Sequence, residues 1–186
     1  MDGTECPQCA RIEAVYFQAR SFAEYRPPYR NLVIRLKYTP DRALGDLAAG
    51  LILGAVRELL GPAIAERSAV VVPVPLSPKR LNQRGYNQVD LFGRPLAAGL
   101  GLAYRPDDLR RVKETRSQVG LTPDQRTSNL RSAFEAGAVA GKHVLLLDDV
   151  FTSGATGNTC ARALYNAGAE TVRVFTLARA VPGKDD

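Results

Sequence analysis

Val144-Leu145-Leu146-Leu147-Asp148-Asp149-Val150-Phe151-Thr152-Ser153-Gly154-Ala155-Thr156 decides the fold: an apolar run ends in two carboxylates and then in a small, hydroxyl-rich turn. The run, bounded by Lys142-His143 and the Asp pair, suits a buried parallel strand, and residues 159–167 carry helical spacing. The turn therefore joins a strand to a helix N-terminus, where open backbone N–H groups and the positive end of the helix dipole favour an anion. Gly154 and Ala155 let a phosphate approach the backbone, while Thr152, Ser153 and Thr156 add hydroxyl donors. Adjacent carboxylates repel a phosphate, so Asp148 and Asp149 are expected to meet neutral hydroxyls or a divalent cation. A ribose 5-phosphate answers to both halves. The competing reading is a helix cap and turn, which these residue types also favour. Cap preferences are worth about 0.5 to 2 kcal/mol, less than the burial of unpaired carboxylates costs, and a cap needs only one acid.

Working outward, residues 155–167 form the helix, Gly168 stops it and residues 172–177 form the next strand, a strand-helix-strand unit. Residues 70–74 read as the first central strand. Leu44, Leu47, Ala48, Leu51, Ile52, Ala55 and Leu59 recur at helical spacing until Gly61-Pro62 stops them. A short strand from Tyr16 to Phe22 ends at Arg26-Pro27-Pro28, and a helix over residues 29–38 follows. Val89, Phe92 and Leu96 indicate another helix, which Pro95 is expected to kink. Thr122-Pro123-Asp124-Gln125 reads as a capped helix start, preceded by a long loop over residues 112–122. The expected fold is α/β, a parallel sheet with helices on both faces. Its ligand crevice should lie at the carboxyl ends of the strands, where Pro75, Val112 and Asp149 fall.

The 186 residues, 45% of them hydrophobic, fit one domain with an ample core. The start, Met1-Asp2-Gly3-Thr4-Glu5, has no apolar run behind it and is not read as a secretory signal. The longest mostly apolar stretch, residues 47–56, is too short to span a bilayer, so a cytoplasmic protein without membrane insertion is expected. Net charge is +6, with basic residues gathered at Lys79, Arg80 and Arg84 and again at Arg105, Arg110, Arg111, Lys113, Arg116, Arg126 and Arg131. That balance points to a polyanionic partner, and charge alone does not choose between pyrophosphate and nucleic acid. Cys160 shares helical spacing with Ala163, Leu164 and Ala167, which marks a core residue rather than a nucleophile. Cys6 and Cys9 form a Cys-x-x-Cys turn that offers two thiolates to one metal. Structural zinc takes four ligands, and Cys160 and His143 belong to the core. Zinc is thus not expected on this chain alone; a site shared between two chains, in a homodimer, is the alternative.

The opening stretch resembles the phosphoribosyl pyrophosphate (PRPP) signature of type I phosphoribosyltransferases. Three further stretches look like the ComF family of phosphoribosyltransferase-like proteins, associated with competence and DNA uptake. They are Val70 to Arg80 followed by Arg84-Gly85-Tyr86-Asn87-Gln88; Thr115 to Leu121 with Arg126, Asn129-Leu130-Arg131 and Phe134; and Leu32 to Tyr38, ending in Leu-Lys-Tyr. The resemblance runs in the family's order from about Tyr16 to Arg179. It implies that Asp148 and Asp149 hold the ribose hydroxyls and that Thr152, Ser153, Gly154, Ala155 and Thr156 cradle the 5-phosphate. It also implies a phosphoribosyltransferase domain over residues 16–186, with a hood at about 16–40 and a core at about 41–180. Residues 1–15 are then the remnant of a zinc ribbon, Cys6 and Cys9 resembling its second half.

A pyrophosphate loop maps onto Leu76, Ser77, Lys79 and Arg80, where Lys79 and Arg80 would neutralise the leaving group. Lys113 and Arg116 fall on the loop that closes over substrate in such enzymes. Magnesium is implied as cofactor, bridging pyrophosphate oxygens, with Asp148 and Asp149 as its candidate protein ligands. Ser77-Pro78-Lys79-Arg80 also reads as a helix start with solvated bases. The function expected is transfer of phosphoribosyl from PRPP to an unidentified acceptor. The alternatives are a DNA-uptake accessory that binds single-stranded DNA and keeps PRPP or a nucleotide as a non-catalytic ligand, and a PRPP sensor without turnover. Near Arg105 to Arg131 only Tyr104 and Phe134 offer stacking surfaces.

Overall fold

Strand order places the site. The computed structural model describes residues 14–61, 68–112 and 133–181. Its main sheet is built from β1 (Gln18–Glu24), β2 (Ala69–Pro73), β3 (Ala103–Tyr104), β6 (His143–Phe151) and β7 (Thr171–Arg179). These strands are all parallel, in the order β1-β7-β6-β2-β3. From β2 the chain moves outward to β3, and from β6 it moves the opposite way to β7. The neighbours β2 and β6 thus form a topological switch point, and a crevice opens at their carboxyl ends.

Helices α1 (Tyr29–Tyr38), α2 (Arg42–Leu60) and α4 (Gln88–Leu100) cover one face, and α5 (Ala155–Asn166) covers the other. The two-residue period of β6 feeds both layers. Leu145 and Leu147 pack with Val33, Leu36, Ile52 and Phe92, whereas Val144 and Leu146 pack with Cys160 and Leu164. Two-sided burial explains why these strands read as continuous apolar runs. No helix among the described residues is long and apolar enough to cross a membrane.

Helix α4 continues through Pro95 to Leu100. Proline removes the N–H that would bond the carbonyl four residues back, here that of Leu91. Gly45 of α2 packs against this group, and a Cβ at position 45 would overlap the Leu91 carbonyl oxygen. Gly45→Ala is therefore expected to destabilise the protein by about 1–3 kcal/mol, read from urea unfolding. An unchanged midpoint would mean that α2 and α4 can part without loss.

Two expectations change. Strand β6 does not end at Leu147 but runs through both acids to Phe151. Its pairing with β2 stops at Pro73↔Leu147, with one further bond from Val74 N to Leu147 O at 2.8 Å, while β7 accompanies it to Phe151↔Arg179. Val112 does not mark an end of the central sheet. It follows β4 (Leu109–Arg111), which pairs antiparallel with β5 (Phe134–Ala136) in a separate ribbon. Within residues 16–40 the chain also contributes to the main sheet. Strand β1 is the edge of the main sheet, in register with β7 from Gln18↔Arg173 to Glu24↔Arg179. The Ser21 and Thr176 hydroxyls, 2.7 Å apart, bond across that pairing. Cys6, Cys9, Lys113, Arg116, Arg126, Arg131 and the cap at residues 122–125 lie outside the described residues.

Candidate functional site

At the carboxyl ends of β2 and β6 lies a cavity of about 690 Å³. One wall follows β2 through Val74, Pro75, Leu76 and Ser77 and continues along the short helix α3 (Pro78–Arg84), which contributes Arg80, Gln83 and Arg84. Asp148, Asp149, Thr152 and Thr156 form the opposite wall. Lys37 and Tyr38 at the end of α1, Tyr86, Gln88 and Arg111 complete the lining.

Because Asp148 and Asp149 are consecutive residues of an extended strand, their side chains leave it on opposite faces. Asp149 is buried on the face of α1 and α4. Its Oδ2 lies 3.2 Å from Lys37 Nζ and accepts a hydrogen bond from Gln88 Nε2 at 2.7 Å. Gln88 Oε1 in turn accepts from Arg84. Asp148 faces the α5 side and shares a small recess with Thr152, Gly154, Thr156 and Gly157. Its Oδ1 accepts the Asp149 backbone N–H at 2.8 Å. Burial at the cleft floor, and then the charge of Asp149, push its carboxyl up from 3.8 to about 7, partly offset by that hydrogen bond and by Lys37.

Tyr86-Asn87-Gln88 holds this arrangement together. The Tyr86 hydroxyl donates to Leu36 O at 2.8 Å, tying the segment to α1. Asn87 Nδ2 donates to Val74 O at 3.0 Å, tying it to the end of β2, while Asn87 Oδ1 caps α4 through Val89 N. Gln88 reaches Asp149. Neither Lys37 nor Gln88 stands out by type in the sequence. The available signals are a lysine closing an otherwise apolar turn at Leu36-Lys37-Tyr38 and a glutamine buried at a helix start.

In the turn after β6, Gly154 adopts φ +80° at the N-cap of α5, and no described side chain caps the helix. Ser153 Oγ reaches Ala155 N only at 3.4 Å. Thr152 and Thr156 line the large cavity, whereas Ser153 and Ala155 are not among its lining residues. The segment read as a pyrophosphate loop is the start of α3, as the alternative reading had it: Ser77 is its N-cap, with Oγ accepting from Arg80 N at 3.3 Å. Helical spacing then places Arg80, Gln83 and Arg84 on the cavity face. Lys79 is exposed and is not among the residues that line the cavity.

Among the described residues no group of three or more His, Cys, Asp or Glu side chains is placed to hold a metal ion. Asp148 and Asp149 diverge, and one oxygen of Asp149 is already bonded to Lys37 and Gln88, so the pair does not fit a protein cage for magnesium. The thiol of Cys160 is fully buried in the core and pushed up by that burial, in keeping with a packing role.

Residues 91–185 match the family described as the phosphoribosyl transferase domain. The chain is 35% identical over 178 residues to the DNA utilization protein YhgH of Salmonella typhi, covering 94% of this chain and 77% of that protein. It is 31% identical over 179 residues to Competence protein F of Haemophilus influenzae, covering 94% and 78%. With Competence protein ComFC of Streptococcus pneumoniae it shares 28% over 179 residues, covering 95% and 76%.

Proposed function

This chain belongs to the ComF family of phosphoribosyl transferase domain proteins, and from that premise we propose that its cavity binds PRPP and transfers the phosphoribosyl group to an acceptor with release of pyrophosphate. The observation that carries the reading is the division of one cavity into two chemistries. The β6 wall offers carboxyl groups for ribose hydroxyls beside the Thr152 and Thr156 hydroxyls for the 5-phosphate, and the α3 wall offers Arg80 and Arg84 for the pyrophosphate. Departure of pyrophosphate leaves a cation-like ribosyl centre and concentrates negative charge on the leaving group. Guanidinium groups on the α3 wall stabilise that charge. Carboxyl oxygens of Asp148 and Asp149 accept the ribose hydroxyls and so orient the ring. Magnesium that arrives chelated to pyrophosphate belongs to the substrate, and no step is assigned to an ion held by the acid pair.

Calorimetry with PRPP tests the reading, followed by a screen of nucleobases for pyrophosphate release. Arg80→Ala is expected to weaken PRPP about tenfold or more, as loss of a charge-assisted contact does, while Lys79→Ala leaves affinity close to wild type. Absence of PRPP binding to the wild type would remove the transferase reading. The reverse ranking of the two variants would move the pyrophosphate contact off the cavity face of α3.

The names of the relatives, DNA utilization and competence, support a place for this chemistry in the handling of imported DNA. A stacking platform for single strands finds less support among the described aromatics. Tyr104 donates to Asp90 Oδ1 at 2.5 Å and lies under Arg94, and Phe134 is buried beneath Arg111. A salt titration of oligonucleotide binding separates the two readings, because contacts to several phosphates weaken steeply with salt.

A further inference from the structure

Asp149 carries a cation of its own. Lys37 Nζ stands 3.2 Å from Oδ2, the Lys37 side chain being 26% exposed and that of Asp149 8%. Exposed ion pairs hold little, but a carboxylate this buried requires a partner. The ammonium is also placed rather than free to wander. It extends from the last turn of α1, and the hydrogen bond from the Tyr86 hydroxyl to Leu36 O fixes the backbone beside it. Gln88 donates to the same carboxylate oxygen and is itself held by Arg84. Two donors, one of them charged, thus meet Asp149 Oδ2, where a carboxylate would otherwise attract a metal ion.

We propose that Lys37 is the built-in counter-ion of the acid pair, taking the place at Asp149 that a divalent cation would take, so that a ribose 5-phosphate docks on Asp148 and Asp149 with no metal ion bound to them. The proposal rests on the reading of the cavity as a ribose-phosphate site. Lys37 is a positioning residue in it: it holds the Asp149 carboxylate in place at 3.2 Å, and does so from an element that the strand-turn motif does not include. Without the ammonium, the buried Asp149 carboxylate loses the cation at 3.2 Å, and Asp149 becomes a group that gains from a divalent ion.

Calorimetry with ribose 5-phosphate, which lacks the pyrophosphate that would bring magnesium with it, is run in EDTA and in excess magnesium. Wild-type affinity is expected to be the same in both. Lys37→Met should bind about tenfold more weakly in EDTA and recover in magnesium, and Lys37→Arg should stay near wild type. Wild-type binding that needs magnesium, or a Lys37→Met variant that binds like wild type in EDTA, overturns the proposal. If the wild type binds no ribose 5-phosphate in either buffer, it is the ribose-phosphate reading that fails, and manganese alone then decides the role of Lys37. Folded Lys37→Met protein that binds manganese about tenfold more tightly than wild type, with the gain abolished by Asp149→Asn, supports the counter-ion role; equal manganese affinity overturns it.

Discussion

Asp148→Asn raises the melting temperature of the ligand-free protein at pH 8 and removes most of the pH dependence of its stability. The Asp148 carboxyl, pushed up from 3.8 to about 7 by burial and by Asp149, binds its proton more tightly in the folded chain than in the unfolded one. Between those two values the folded state therefore holds more protons. Stability falls as pH rises through that window and levels off above it. One unit corresponds to about 1.4 kcal/mol, so the penalty at pH 8 reaches at most about 4 kcal/mol. In a chain of this length that is several degrees, at about 2–4 °C per kcal/mol. The amide oxygen still accepts the Asp149 N–H but carries no charge to desolvate. Near pH 4 the two proteins should melt within a degree or so of each other, since the wild-type carboxyl is then protonated when folded. A wild-type melting temperature that is flat from pH 4 to 8 would contradict the assignment. The ligand tells the opposite story: Asp148→Asn with Asp149→Asn should weaken PRPP, because amide oxygens accept ribose hydroxyls less strongly than carboxylates.

Gly154→Val should lose PRPP by about a hundredfold or more while the protein remains folded. At φ +80° a β-branched residue is an outlier, and relieving it rotates the turn that aims the first N–H groups of α5. The strain costs about 1–3 kcal/mol of stability. The binding loss is larger because a phosphate depends on several of those N–H groups at once, and the added methyls occupy its path to the backbone. Paired urea unfolding and PRPP calorimetry measure the two losses in one preparation. Normal PRPP affinity in this variant would reduce the segment to a plain turn.

The motif itself was legible because its parts are local. A strand buried on both faces must be apolar throughout, and a helix start that receives an anion needs small residues. Residues 144–156 therefore announce themselves without reference to anything distant. Helix α1 falls at residues 29–38 as expected, and Gly61 and Gly168, both at positive φ, lie just past the ends of α2 and α5. Lys79 shows where local reading falls short. Lys79 and Arg80 are adjacent bases and equal candidates in the sequence, yet one turn of α3 sends Arg80 to the cavity and leaves Lys79 outside it. That choice depends on helical phase, which a loop assignment does not contain.

By itself, then, the sequence determined the parallel α/β class and the strand and turn of the motif, each set by periodicity or by turn chemistry within a few residues, and it pointed to the family through a resemblance spread from about Tyr16 to Arg179. Only the tertiary structure decided what the two acids do. The extension of β6 past Leu147 sends Asp148 and Asp149 to opposite faces, and parallel pairing makes β1 an edge of the sheet. Asp149 then meets Lys37 from α1 and Gln88 from α4, the latter 61 residues away in the chain. Such encounters follow from how distant segments stack on one sheet. No local pattern encodes them, because a lysine or glutamine looks the same in the sequence whether it faces water or a buried carboxylate.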